Sequence, residues 1–121
     1  MSKPRSRLID YKALVFRQVY GFTTEIHFGR QSKHLPGHPN YNPTKSTIAL
    51  SIRTIQTLVE HHAGTGRRRS RNKETVDFGI VIGIFRSPDH PAGIATTCGT
   101  IHYSKAGAHI VPALPSTKRR R

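Results

Sequence analysis

Thr100-Ile101-His102-Tyr103-Ser104-Lys105-Ala106-Gly107-Ala108-His109 gathers two imidazoles, a phenol, a hydroxyl and an ammonium around one glycine turn. Imidazole titrates near neutrality, so two of them in one hairpin suit paired proton transfer. Strand alternation sets Thr100, His102 and Ser104 on one face, with Ile101 and Tyr103 on the other. A two-residue Ala106-Gly107 turn would place Ser104 opposite His109, whereas a three-residue turn ending at Gly107 would place Tyr103 there. The alternative is a hairpin with a merely polar outer face, in which threonine and tyrosine are ordinary strand residues.

A second concentration of such groups begins in GRQSKHLPGHPNYNPT, Gly29 to Thr44, whose prolines and glycines predict a loop through which no regular element runs. Within it, Lys33 and His34 offer a cation and an imidazole to a ligand; equally, His34 can hydrogen-bond backbone carbonyls and hold the loop. Lys45, Ser46 and Thr47 follow the loop, where hydroxyls and amides either cradle phosphate or anchor the chain.

The acids exclude other chemistry. Asp10, Glu25, Glu60, Glu74, Asp77 and Asp89 are scattered, and two-metal nucleases and glycosidases need converging carboxylates. His34 and His38 are four apart, but Pro36 and Gly37 forbid the helix that would align them; adjacent His61 and His62 point apart on a helix. Cys98 is the single cysteine, so there is neither an internal disulfide nor a cysteine-based zinc site. No metal or cofactor is expected.

What remains is histidine, lysine and hydroxyl side chains in a cationic chain, the inventory of a metal-independent ribonuclease. Such an enzyme needs a base for the ribose 2′-hydroxyl, cations around the pentacovalent phosphate and an acid for the leaving 5′-oxygen. The nucleophile belongs to the substrate, so DNA is inert and the product ends in a 2′,3′-cyclic phosphate. His34 is the candidate base or acid, and His102 or His109 its partner. Lys33 and Lys45 would stabilise phosphorane charge, Ser46 and Ser104 would hydrogen-bond phosphate, and Tyr103 would orient a base or phosphate. A noncatalytic RNA-binding or ribosome-associated protein is the rival reading; a DNase or a phage structural protein is a third.

These side chains need elements to position them. The 121 residues suffice for one domain, and 35% apolar content without tryptophan limits its core. Twenty Lys and Arg against six Asp and Glu give a net charge of +14, which calls for a polyanionic partner, nucleic acid first. The organisation expected is a basic arm over 1–9, a single domain over 10–115 and a basic tail over 116–121. A short helix is predicted between Asp10 and Tyr20, and a helix from Ser51 to His62, where Ile52, Ile55, Leu58 and Val59 recur at helical spacing.

Gly64-Thr65-Gly66 lets backbone approach a phosphate or simply ends that helix. Arg67, Arg68, Arg69 and Arg71 then make a polar loop that binds phosphate without reading sequence, joined by Thr65 and Lys105 as RNA contacts. Val76, Phe78, Ile80, Ile82 and Ile84 alternate with smaller or polar residues and predict one strand with a buried face. Further strands are expected from Ile94 to Ser104 and from His109 to Ala113. The fold class is therefore α+β, helices before an antiparallel meander. No apolar run reaches membrane-spanning length and the N-terminus lacks the apolar middle of a signal peptide, so another module or machine would carry the protein out of a cell.

The segments GRQSKHLPGHPNYNPTKS, HAGTG, VDFGIVIG and IHYSKAGAHIVPALP, in this order, resemble the bacterial polymorphic toxin domain called type fifty. The resemblance spans most of Ile26 to Pro115. It implies the barnase, EndoU, colicin and RelE group of small ribonuclease toxins, with helices before a four-stranded antiparallel sheet. It also implies action in a target cell's cytoplasm, delivery at the tip of a larger secreted or phage-borne protein, and neutralisation by a cognate immunity protein, acidic to match this charge. Lys33, His34, Lys45, Ser46, His102, Tyr103, Ser104 and His109 fall at its motif positions. The arginine-rich run after Gly66 and the Lys118 to Arg121 tail depart from the family pattern.

Overall fold

The computed structural model describes residues 16–115. The arm over 1–9, the tail over 116–121 and the first part of the helix expected from Asp10 lie outside them. The rest of that helix is replaced by a small antiparallel hairpin, β1 (Gln18–Val19) and β2 (Phe22–Thr23). Tyr20, at φ 56°, and Gly21, at φ 86°, make the reversal, a conformation no helix contains.

The helix at Ser51 forms as its pattern predicts. Helix α2 (Ile52–His62) starts where the Ser51 hydroxyl accepts from Thr54 N at 3.2 Å, and it buries Ile55 and Val59. Before it, the proline-rich segment is less irregular than expected: helix α1 (Phe28–Gln31) runs into a single 3₁₀ turn (Ser32–His34) and ends before Pro36. The His27 imidazole caps α1 by accepting from Arg30 N at 3.1 Å.

The strands divide differently from the expected meander. A three-stranded sheet has the order β3 (Thr47–Ile48), β6 (Gly83–Ser87), β7 (His90–Thr96), and a four-stranded sheet the order β4 (Arg67–Ser70), β5 (Lys73–Asp77), β8 (Cys98–Ser104), β9 (Gly107–Pro112). All ladders in both sheets are antiparallel. The single strand expected over Val76 to Ile84 breaks after Asp77, where Gly79 N bonds Asp77 Oδ1 at 3.0 Å and Ile80 and Val81 are left about half exposed. The strand expected from Ile94 to Ser104 breaks at Thr97, and each half joins a different sheet. Gly83 marks the crossing: a Cβ there would stand 1.9 Å from Thr47 O, so only glycine lets β3 and β6 approach. Arg67–Ser70, expected as a loop, is an edge strand with all four residues exposed.

The core gathers Ile55 and Val59 of α2, Ile101 and Tyr103 of β8, and Ala108 and Ile110 of β9 with Ile48, Val76 and Ile82. The outer edge of β9 is closed by the chain preceding the 3₁₀ turn. Ala108 N donates to Glu25 O at 2.7 Å and His27 N to Ala108 O at 2.8 Å. The buried Gln31 amide then takes the place of a neighbouring strand, Nε2 donating to Ile110 O at 2.9 Å and Oε1 accepting from Ile110 N at 2.7 Å. This clamp holds the 3₁₀ turn, and His34 with it, beside β9.

Candidate active site

The β8–β9 register pairs His102 with His109, Tyr103 with Ala108 and Ser104 with Gly107. Neither turn considered from the sequence occurs: the two loop residues are Lys105 and Ala106, and this puts both imidazoles on one face, directly opposite each other. Their rings lie 4.9 Å apart at 25°, and the His34 ring continues the stack at 6.3 Å and 14° from His109. The loop histidine and the hairpin histidines, 68 residues apart or more in sequence, therefore form one row of three imidazoles.

His34 is 7% exposed and its Nδ1 lies 2.8 Å from Ser46 O. A carbonyl only accepts, so Nδ1 carries the proton and Nε2 of the neutral ring is the basic nitrogen. His34 thus holds its loop by a backbone carbonyl and keeps one nitrogen for chemistry. Burial lowers its pKa, the Lys45 and Lys33 charges lower it further, and the Ser46 contact opposes them. His102 is lowered by burial, Lys73 and His34. For His109, burial first and then His102, His34, Arg30 and His27 push the pKa down to about 3. His109 Nδ1 is the one buried side-chain polar atom without a hydrogen-bond partner among the described residues. The row is thus neutral at pH 7, a set of proton acceptors surrounded by fixed cations.

These shifts give stability a sign with pH. A histidine depressed below its unfolded pKa of about 6.5 binds more protons when unfolded, so stability is complete above that value and is lost as pH falls toward the folded pKa. The melting temperature is expected to fall between pH 7.5 and 5, where carboxylates remain ionised, and to fall less in His109→Gln. A wild-type melting temperature constant over that interval would refute the buried neutral row.

His34 also lines a cleft of 710 Å³ together with Lys45, Ser46, Phe85, Arg86 and Val111. No acidic residue is among the cleft's described lining. Arg86, which the sequence reading missed, donates from Nη1 to Thr47 Oγ1 at 2.7 Å and to Lys45 O at 3.3 Å. Both acceptors are neutral, so these contacts orient the guanidinium without cancelling its charge.

Other expected residues stand elsewhere or are occupied. Tyr103 is 1% exposed on the opposite face of the sheet, its hydroxyl donating to Glu74 Oε1 at 2.7 Å, with burial, that bond and the Glu74 charge raising its pKa; it does not reach the imidazole row. The Ser46 hydroxyl is used up between Arg86 N (2.9 Å) and Arg86 O (3.4 Å), tying the residue before β3 to β6. Ser104 Oγ donates to Gly107 O at 2.8 Å and accepts from Arg30 Nη1 at 2.7 Å. Lys33 is exposed and does not line the cleft, although its charge acts on His34. Thr65 Oγ1 closes α2 on His62 O at 2.6 Å, and Lys105 stands exposed in the turn. His38 packs on Phe28 and His62 on Phe78, away from the row. No cluster of three or more His, Cys, Asp or Glu that could hold a metal ion occurs among the described residues.

The arginines of β4 separate by face. Arg67 pairs with Thr75, which pairs with Thr100, and Arg69 Nε donates to Thr75 Oγ1 at 3.1 Å, so both share the His102 face. Lys73, opposite His102, lies between them and the row. Arg68 instead covers the Tyr20 ring at 4.0 Å and donates to Arg71 O at 2.8 Å.

The molecule is thus a cationic α+β protein with three stacked histidines beside an acid-free cleft. A family model described as bacterial toxin 50 matches residues 26–112, a span holding the row and the cleft, and the chain belongs to this toxin family. No curated protein matches it. No helix among the described residues is long and apolar enough to cross a membrane.

Proposed function

We propose that this toxin is a metal-independent endoribonuclease. The observation that carries the reading is the row His34–His109–His102 beside a cleft lined by Lys45 and Arg86. His34 Nε2 takes the proton of a ribose 2′-hydroxyl; O2′ attacks phosphorus, the bond from phosphorus to O5′ breaks, and an imidazolium of the row returns a proton to O5′. Burial is the main cause that lowers the pKa of His102 and His109, and neighbouring positive charge adds to it; the phosphodiester's negative charge opposes that second cause, so bound substrate itself raises their proton affinity. Lys45 and Arg86 stabilise the phosphorane. Arg67, Arg69 and Lys73, on the same sheet face as His102, supply a track for neighbouring phosphates.

Helices preceding a four-stranded antiparallel sheet accord with the barnase, EndoU, colicin and RelE group. Residues 10–115 form the toxin domain of a monomer, flanked by its basic arm and tail. The partners are a structured RNA such as tRNA and an acidic immunity protein, and the site of action is the target-cell cytoplasm after delivery in a larger protein or machine.

The test is incubation of purified protein with RNA and DNA, with and without EDTA. RNA cleavage that survives EDTA and leaves 2′,3′-cyclic phosphate ends is expected, with DNA intact. RNA binding without cleavage would replace this reading by the noncatalytic one, and EDTA-sensitive DNA cleavage would replace it by a metal nuclease.

A further inference from the structure

The cleft's lining is not only cationic. Beside Lys45 and Arg86 it includes Phe85, Pro88 and Pro91, an aromatic ring and two apolar pyrrolidine rings. Phe85 and Arg86 are consecutive on β6, where a regular strand would send them to opposite faces. The β6–β7 ladder is irregular here: Phe85 pairs with Ile94 and Ser87 with His90, so Pro91, Ala92 and Gly93 stand opposite Arg86 alone. Gly93 absorbs the excess at φ 91°, and a Cβ there would meet Ile84 Cγ2 at 2.3 Å and Arg86 Cγ at 3.4 Å. The irregularity brings a cation and an aromatic ring to one cleft from neighbouring positions. His90 lies against Phe85, ring centres 6.1 Å apart and planes tilted by 60°.

We infer that this cleft is a nucleotide subsite, with Arg86 and Lys45 holding a phosphate and Phe85, Pro88 and Pro91 receiving the nucleobase attached to it. The volume of 710 Å³ falls among those of small-molecule sites, and an apolar shelf next to oriented cations is what a base linked to a phosphate requires. The inference rests on the ribonuclease reading for its choice of ligand and adds a base-selecting element, Phe85, that positions the substrate without touching the reacting atoms.

Calorimetric titration with adenosine 3′-monophosphate, uridine 3′-monophosphate, ribose 5-phosphate and inorganic phosphate tests it. Stacking of one base is worth about 1–3 kcal/mol, a preference of about fivefold to 150-fold. At least one nucleotide is therefore expected to bind about fivefold or more tightly than ribose 5-phosphate. Phe85→Leu, which keeps side-chain bulk in the strand, should abolish most of that preference, while Arg86→Gln should weaken all ligands together. Equal affinity for nucleotide and ribose phosphate, a preference untouched by Phe85→Leu, or no binding of any ligand would overturn the subsite. RNA cleavage measured in parallel separates the two readings: a wild-type protein that cleaves RNA yet shows no nucleotide preference loses the subsite and keeps the ribonuclease, and one that prefers nucleotides but never cleaves RNA does the reverse.

Discussion

His34→Ala is expected to reduce RNA cleavage about 100- to 10,000-fold, the range for loss of a positioned general base, while RNA binding changes only a few-fold. In the proposed function binding rests on Arg67, Arg69 and Lys73 of the sheet face, which this substitution leaves in place. His34 also has a structural task, because its Nδ1–H holds Ser46 O at 2.8 Å. His34→Asn separates the two roles: an amide N–H donates as Nδ1 does but supplies no basic nitrogen in place of Nε2. The asparagine variant should recover the melting temperature lost in the alanine variant and remain inactive. Recovery of cleavage by asparagine would make His34 a loop anchor, and the base would have to be sought elsewhere.

Glu74→Ala is expected to cost about 3–5 kcal/mol of stability and to lower the melting temperature by on the order of 10–20 °C. Glu74 is fully buried and accepts three hydrogen bonds: Tyr103 OH at 2.7 Å and Gly64 N at 2.9 Å on Oε1, and Gly66 N at 2.6 Å on Oε2. Truncation strands all three donors where water does not replace the carboxylate, and it releases the Gly64–Gly66 connection between α2 and β4. Tyr103→Phe removes one donor only, so it should lose about 1 kcal/mol and retain RNA cleavage. Thermal unfolding and a cleavage assay on both variants check the pair. A Tyr103→Phe protein of normal stability without activity would return the phenol to the chemistry from which its burial removes it.

How much was legible in the sequence follows from how local each signal is. Helix α2 announces itself because an apolar stripe at helical spacing and a serine cap belong to one segment. The faces of β8 are legible for the same reason, and burial alternates along it as expected, with Ile101 and Tyr103 inside and Thr100, His102 and Ser104 toward the surface. Arg67–Ser70 carries no apolar alternation at all, and it is a strand only because β5 supplies its backbone partners. Likewise the run from Val76 to Ile84 looks the same whether it serves one sheet or crosses between two, since alternation has period two in either case. Gln31 and Arg86 gave no signal, because their importance comes from Ile110 and from Thr47, 79 and 39 residues away.

The sequence by itself determined the chemistry that is possible here. Its +14 charge, scattered carboxylates and wealth of histidine and lysine favour a polyanionic substrate handled by proton transfer, and these are properties of the residues wherever they lie. The tertiary structure decided which of those residues work together. The Lys105-Ala106 turn set His102 opposite His109, and the Gln31 clamp on β9 brought His34 to the same row, while the buried Glu74 engaged the Tyr103 hydroxyl on the other face. Side-chain chemistry is local, whereas register and packing depend on partners distant in the chain, so the inventory of the site could be read early and its membership only from the fold.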